Sequence, residues 1–391
     1  MIRSILPLLA ALLVALPASA QLPDTLTSSG RIYVLTTLPG DQVHSRYGHT
    51  AIRVFDRRQG MDVVFNFGTF DFQQSGFIWR FAHGELDYML DFGSMRRAAQ
   101  NANLEERTLR QQLLDINREH RDAIYAALLE NARPENATYR YDFLFDNCAT
   151  RPRDVIAEAM GDALKWDSTT VLGQTFRQLL DPYHADAPEL DLGTDLVMGA
   201  EIDRVATFAE EAFLPLRFEE MLAAASVDDQ YGLRPLVLVA DTVIWSPRPA
   251  FPEKAFPWPL VLGIVVAVGG LWASFRRKSM RIGAGDRWLL AALGVLGLFL
   301  LYMGTMTAHQ VTESNFNMLW AVPAHIVAAV VLHRLSNRLA AGYLLLSAAL
   351  AALSLTGGFL LPQPLPEALV PIVIALTTHW ARLGFSLRQA D

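Results

Sequence analysis

Hydrophobic positions along the chain fall into two patterns that meet near residue 250. Before that point, apolar and polar residues alternate in short runs such as 32–36 and 50–56, which is typical of half-buried strands. After the proline-rich junction 246–252, near-continuous apolar runs follow one another. The pattern predicts a folded α+β domain and, after it, a set of membrane helices.

Five apolar runs after the junction are each close to the length that a transmembrane helix needs. They cover residues 258–275, 287–305, 318–334, 339–361 and 367–385. Arginine and lysine occur in alternate connections, whereas loops 306–317 and 362–366 contain neither. Because basic loops favour the cytoplasmic side, we expect an all-α bundle of five transmembrane helices. Its C-terminus would lie inside and the preceding domain outside.

The first 20 residues have the features of a secretory signal peptide. Arg3 precedes an apolar run from 5 to 16, and the small residues 18–20 predict cleavage after Ala20. With an odd number of spans and the C-terminus inside, the N-terminal domain lies outside, which agrees with its export. We therefore divide the chain into a signal peptide (1–20), an exported core (21–165), a helical extension of that core (166–250) and a transmembrane domain (258–385).

Composition and charge narrow the possible functions. A hydrophobic share of 52% and a mean hydropathy of +0.22 are too high for a purely soluble protein. Residues 258–391 hold 9 of the 33 Lys and Arg and 4 of the 40 Asp and Glu, which leaves 24 against 36 before them. An acidic domain without a basic cluster binds nucleic acid poorly. No phosphate loop, HExxH or CxxC motif is present, so we expect neither a cofactor nor a metal.

Periodicity places the elements of the exported domain. We expect a strand at 32–36, a hairpin of strands 49–56 and 63–72 around the turn 57–60, and a helical segment at 76–83. A strand at 86–92 and a long amphipathic helix at 105–131 follow. A strand at 139–145 leads to a helix at 155–160 that ends at Gly161, and 236–240 is the last predicted strand.

Cys148 is the only cysteine among 391 residues, so it has no partner for an internal disulfide. It lies just before the predicted helix, where the helix dipole and unpaired N–H groups favour a thiolate, the form in which cysteine is a nucleophile. A buried, unreactive cysteine is the alternative.

A cysteine nucleophile needs a base and a group that orients the base. With the hairpin centred near residues 58–59, His49 pairs close to Gly68 and Asn66 falls on the same face as His49. His49 and Asn66 are therefore the candidates, with Asp71 as the alternative orienting residue. Arg151, just after Cys148, would stabilise a thiolate or bind a lipid phosphate, although an ordinary surface role is equally open.

Three motifs in order, at residues 47–53, 65–72 and 141–151, resemble the N-terminal periplasmic domain of the Lnb-type lipoprotein N-acyltransferases. The order of His and Cys is also similar to the circularly permuted papain-like superfamily of the NlpC/P60 enzymes. A fourth segment, 309–323, is similar to the transmembrane part of these proteins, except that Gln310 stands where the family often has proline.

The resemblance implies acyl transfer at the outer face of the inner membrane. His49 would deprotonate Cys148, which would attack a phospholipid ester, and the resulting thioester would acylate the N-terminal amine of a diacylated lipoprotein. His309, Asn315 and Asn317 would bind a lipid headgroup, unless they only end a helix hairpin. A cell-wall amidase or peptidase of the NlpC/P60 type and a non-catalytic membrane-bound scaffold or sensor are the alternatives.

Overall fold

The computed structural model describes residues 22–71, 75–166, 170–277 and 281–390. The predicted signal peptide lies outside these residues. The part described forms an N-terminal domain of strands and helices and a C-terminal helical region.

The strands are, in chain order, β1 (Gly30–Thr37), β2 (His49–Asp56), β3 (Met61–Thr69), β4 (Asp87–Ser94), β5 (Leu109–Leu114), β6 (Thr138–Arg140), β7 (Leu164–Lys165), β8 (Val171–Thr175), β9 (Val205–Thr207), β10 (Ser226–Asp229), β11 (Gly232–Pro235) and β12 (Val237–Ile244). The helices before the junction are α1 (Phe77–Ala82), α2 (Met95–Leu104), α3 (Arg118–Asn131), α4 (Thr150–Met160), α5 (Phe176–His184), α6 (Pro188–Val197), α7 (Phe208–Glu211) and α8 (Pro215–Ala224).

Seven strands form one sheet, in the order β12-β5-β1-β2-β3-β4-β6, and every neighbouring pair is antiparallel. One face of the sheet packs on α3, α4 and α8, and α2 covers part of the other. The β2–β3 hairpin pairs Ile52 with Phe65 and Asp56 with Met61. This register has the centre predicted from the sequence.

The predicted helix 105–131 is wrong in its first half. Residues Leu109–Leu114 form β5, and the helix begins only at Arg118. β5 lies inside the sheet, hydrogen-bonded to β1 on one side and β12 on the other. Two rows of backbone hydrogen bonds to distant strands outweigh the weak helical preference of this segment.

The segment 166–250, predicted as a helical extension, contains helices α5 to α8 together with strands β8 to β12. Its last strand, β12, is the edge strand of the seven-stranded sheet. The end of this segment is therefore part of the main sheet.

The C-terminal region contains α9 (Trp258–Arg276), α10 (Ala284–Met306), α11 (His325–Val331), α12 (Asn337–Ser354) and α13 (Val370–Gln389). Within the described residues, four helices are long and apolar enough to cross a membrane: α9, α10, α12, and α13 with the turn before it. The prediction of five long helices is not met, because the third segment, 318–334, holds only the short α11 and a 3-10 turn after it. Seven residues of α helix extend about 10 Å, far less than a hydrocarbon core of about 30 Å.

This third segment and the loop before it nevertheless run along α10. The Thr312 hydroxyl donates to the Met303 carbonyl over 2.8 Å, and Nε of Arg287 donates to the Ala329 carbonyl over 2.9 Å. The chain between them thus passes most of the length of α10 in the opposite direction, partly without helical structure. Non-helical backbone is tolerated at membrane depth where it is packed against protein.

A glycine in α10 makes this packing possible, and it gives a first prediction. A methyl group on Gly297 would collide with the backbone of Ala321 and Pro323, whereas one on Gly270 in α9 would meet no atom within 4 Å. We expect Gly297→Ala to destabilise the solubilised chain by about 1–3 kcal/mol through overpacking. Gly270→Ala should leave stability unchanged or slightly improved. Thermal unfolding followed by intrinsic fluorescence measures both, and equal effects of the two variants would contradict the close packing.

Candidate active site

Cys148 lies two residues before the start of α4, and Asn147 fixes its backbone. Asn147 is 3% exposed. Its side-chain oxygen accepts the N–H groups of Ala149 (2.8 Å) and Thr150 (3.0 Å), and its amide nitrogen donates to the Phe213 carbonyl (3.0 Å). The Asn147 side chain thus joins the start of the helix to a distant segment. Cys148 lies at a helix start, as its sequence predicts, whereas the hydrogen bonds of Asn147 were not predicted.

The thiol of Cys148 faces the β2–β3 hairpin. The backbone N–H of Thr50, the residue after His49, donates to its sulfur. Gly68 lies at an irregularity of the β3–β4 pairing, between Asn66 and Thr69, with a φ of +86°. A Cβ atom on Gly68 would lie 3.4 Å from Cβ of Cys148, so β3 and the cysteine are in close contact at this point.

His49 and Asn66 meet as the hairpin register predicted. Nε2 of His49 lies 3.3 Å from Oδ1 of Asn66. An amide oxygen only accepts, so Nε2 carries the proton and Nδ1 is left as the basic nitrogen. The contact supports Asn66, rather than Asp71, as the residue that orients the imidazole.

Burial is the largest influence on the pKa values of His49 and Cys148. It lowers the pKa of His49 to about 4, with a further lowering from Arg107 and an opposing effect of the Asn66 hydrogen bond. Burial also raises the pKa of Cys148, against smaller lowering effects of the Thr50 N–H, its own N–H and Arg107. The resting site therefore holds a neutral thiol and a neutral imidazole.

The thiolate predicted at the start of α4 is opposed by burial. Loss of water around the sulfur is the largest of the effects on the pKa of Cys148, and it raises this pKa. The N–H groups of Ala149 and Thr150, which carry much of the positive end of the helix dipole, are occupied by the Asn147 side chain.

Arg107 is a site residue that the sequence analysis missed, because it fell within the wrongly predicted helix. The residue is 7% exposed. Nε donates to the Leu38 carbonyl (2.7 Å) and Nη1 to Glu105 (2.8 Å), while Nη2 is buried with no hydrogen-bond partner among the described residues. Its positive charge acts on both His49 and Cys148. A cation that favours a negative sulfur is thus built into the site.

Three tyrosines surround the thiol, and the Cys148 sulfur raises the pKa of each. Tyr141 stacks on Tyr88 with 4.2 Å between ring centroids. The Tyr139 hydroxyl is buried and has no partner within the described ranges. Burial is the largest cause of the raised pKa in all three, about 12 for Tyr88, so they remain protonated donors. The sequence showed the aromatic alternation but not that it faces the cysteine.

In the structure, Arg151 lies beside the loop that carries Cys148. Its guanidinium pairs with Asp146 at 2.5 and 2.8 Å and lies 3.4 Å from the centroid of the Tyr139 ring. These contacts stabilise the loop that carries Cys148. Binding of a lipid phosphate by Arg151 stays a prediction.

His309, Asn315 and Asn317 lie where the helical region meets the α/β domain. Nδ2 of Asn315 donates to the Leu196 and Val197 carbonyls at 2.8 and 3.0 Å. Asn317 donates to the Leu196 carbonyl at 3.2 Å, and Nε2 of His309 lies 3.1 Å from the carbonyl of Phe81. The observed contacts fasten α6 and α1 to the membrane helices, and a role in headgroup binding stays a prediction.

The state of the thiol can be measured directly, because Cys148 is the only cysteine. Since burial raises its pKa, we expect iodoacetamide to alkylate the native protein at pH about 7 more slowly than the denatured chain, with the rate still rising well into the alkaline range. Intact-protein mass spectrometry follows the reaction. Faster alkylation of the native protein would show a thiolate and contradict the neutral pair.

Arg107→Gln tests the buried cation. Loss of the positive charge should raise the pKa of Cys148 and move the alkylation profile towards alkaline pH by about one unit. Arg110→Gln is the matched control, because Arg110 pairs with Glu219 at 2.9 Å. If Arg107 has only a structural role, Arg107→Gln will lower the unfolding temperature without moving the pH profile.

Comparison with known proteins adds two matches of family models. The Lnb N-terminal periplasmic domain matches residues 24–181, and the Lnb transmembrane domain matches residues 253–389. No curated protein and no solved structure matches the chain. The first match contains Cys148, His49 and Asn66, and the second contains all the candidate spans. The chain is therefore a membrane protein with the two domains of the Lnb family, a periplasmic N-terminal domain and a transmembrane domain.

Proposed function

We propose that this protein is a cysteine acyltransferase of the inner membrane, which moves a fatty acyl group from a phospholipid to the N-terminal amine of lipoproteins. The observation that carries the proposal is the contact of His49 with Asn66 in a hairpin whose Thr50 N–H donates to the Cys148 sulfur, in a domain fastened to membrane helices. The Lnb domains of the chain agree with it.

In the first half-reaction, Nδ1 of His49 takes the proton of Cys148 as the sulfur attacks the carbonyl carbon of a phospholipid ester. A neutral imidazole is required for this step, and the low pKa of His49, about 4, keeps it neutral at physiological pH. Collapse of the tetrahedral intermediate breaks the bond from carbon to the glycerol oxygen. That oxygen leaves with the proton from His49, and the acyl group remains on Cys148 as a thioester.

In the second half-reaction, the α-amine of a diacylated lipoprotein attacks the thioester carbonyl. His49 accepts a proton from the nitrogen, and the bond from carbon to sulfur breaks. The proton then returns to the sulfur, which restores Cys148. The products are an N-acylated lipoprotein and the free thiol.

The negative oxygen of both tetrahedral intermediates needs hydrogen-bond donors. The Cys148 N–H points at its own sulfur and is one candidate. The Tyr139 hydroxyl is another, because it is buried without a partner among the described residues and lies 3.8 Å from the Cβ position over Gly68. The Arg107 charge favours the same negative intermediate in a site with little water.

Both proposed substrates are held in a bilayer, and the helical region would hold the α/β domain next to them. The backbone of α6 is tied to Asn315 and Asn317, and the Met198 carbonyl to Gln363 at 3.0 Å. A domain fixed in this way holds its nucleophile at a constant height above the lipid. Restricting both reactants to that layer raises their effective concentration.

The test uses the full chain reconstituted in phospholipid with a synthetic diacylated lipopeptide. Cys148→Ala should abolish acylation of the lipopeptide amine, and His49→Gln should slow it by about 10²–10⁴-fold. Asn66→Ala should slow it about tenfold, as expected for loss of one orienting hydrogen bond. His44→Gln, at an exposed histidine just before the site, is the matched control.

Mass spectrometry of the lipopeptide and of Cys148 separates the outcomes. The proposal requires an acyl mass on Cys148 with phospholipid alone, which the lipopeptide then removes. Unchanged N-acylation in the Cys148→Ala variant would overturn it. If the variants alter cell-wall peptide cleavage and leave lipoproteins unchanged, the amidase alternative replaces it.

A further inference from the structure

Helix α1 presents aromatic side chains outward from the α/β domain. Trp79 is 66% exposed and Phe81 54% exposed. Arg80 between them is turned back to the domain, where it pairs with Asp87 at 2.5 Å and donates to the Glu85 carbonyl at 3.2 Å. The outward side of this short helix is therefore apolar, and its charged residue is paired on the inner side.

The same helix is bound to the end of α10 that faces the α/β domain. The Ala308 N–H donates to the His83 carbonyl at 2.8 Å, and His309 contacts the Phe81 carbonyl at 3.1 Å. The side chains of Tyr302 and His83 are also hydrogen-bonded. These three contacts join α1 and the turn after it to one point on the helical region.

The contact with α10 determines the depth of α1 relative to the membrane. Tyr302 lies within the candidate span Ala284–Met306, about 6 Å along the helix axis from its last residue. A helix bound to this level lies at the surface of the bilayer, the region that tryptophan and other aromatic side chains prefer. Trp79 and Phe81, both exposed, are of the side-chain type that favours this region.

A row of aromatic rings leads from α1 into the domain. Successive centroids are 6.3, 6.0, 5.1 and 4.2 Å apart. In order from the membrane, the rings are Phe81, Phe77, Phe70, Tyr88 and Tyr141. None of the five is fully buried, so each offers part of its surface to a bound molecule.

The row ends beside the nucleophile. Cε2 of Tyr141 lies 3.8 Å from the Cβ position over Gly68, and Cβ of Cys148 lies 3.4 Å from that same position. One end of the row thus lies on α1 and the other faces the thiol.

We propose that α1 is inserted in the outer surface of the bilayer and that the aromatic row binds the acyl chain of the donor phospholipid on its way to Cys148. This inference rests on the proposed acyl transfer and assigns the donor subsite of the same reaction. An acyl chain that leaves the bilayer along these rings exchanges one apolar environment for another, so little hydrophobic energy is lost as its ester reaches the sulfur.

The insertion of α1 can be tested without any catalysis. In a Cys148→Ser background, Trp79→Cys supplies a single site for a fluorophore, and Leu104→Cys supplies a matched control at a side chain that is 80% exposed at the end of α2. With the full chain in vesicles, lipids brominated on their acyl chains should quench the label at 79 and not at 104. Equal quenching at both sites, or none at 79, would overturn the insertion of α1.

The aromatic row is tested in the first half-reaction alone, with phospholipid vesicles and no lipopeptide. Phe77→Ser should slow the appearance of the acyl mass on Cys148 at least about tenfold, because a buried aromatic contact with the chain is lost. Alkylation of Cys148 by iodoacetamide should be unchanged, and Leu104→Ser should behave as the unaltered protein does.

The outcomes separate this inference from the proposed function. If the unaltered protein forms no acyl-Cys148, the proposed function fails, whereas the quenching result still decides the position of α1. If it forms acyl-Cys148 and Phe77→Ser does so at the same rate, the aromatic row is not the donor subsite. A defect of Phe77→Ser only in transfer to the lipopeptide would assign the row to the acceptor and likewise overturn the proposal.

Discussion

The close approach of Cys148 to the β2–β3 hairpin is the contact on which the site depends. It involves Gly68, whose φ of +86° favours glycine, and the Thr50 N–H, which donates to the sulfur. On the other side of the cysteine, the Asn147 side chain donates to the Phe213 carbonyl. His49 and Asn66 belong to the same hairpin, so its register brings the proposed base and the proposed orienting residue together.

Burial of that contact determines the chemistry available to it. Burial favours the neutral forms of the thiol and the imidazole. In the proposed reaction His49 is therefore a base that acts during the attack instead of one half of a resting ion pair. The guanidinium of Arg107, with one nitrogen unpartnered in the described structure, lowers the cost of negative charge at the sulfur. The same lack of water strengthens each donor that faces the reacting oxygen.

Helix α10 connects this site to the membrane. Its end near the domain binds α1 through Tyr302, and its length supports the segment that returns through α11. The polar side chains Asn315, Asn317 and Gln363 bind backbone carbonyls of the α/β domain in preference to water. Because buried amides lose their hydrogen bonds if the junction opens, these contacts favour a fixed position of the domain.

The sequence by itself determined the features that depend on local pattern. Strand alternation and the turn at 57–60 determined the hairpin register. Gly161 determined the end of α4, and the length of the apolar runs determined the four long membrane helices. Tertiary structure alone decided that Leu109–Leu114 is a strand, because its partners lie about 76 residues before and about 128 residues after it in the chain. It also decided the short α11, the place of Arg107 and the raised pKa of Cys148, since burial is the combined effect of segments that only folding brings together.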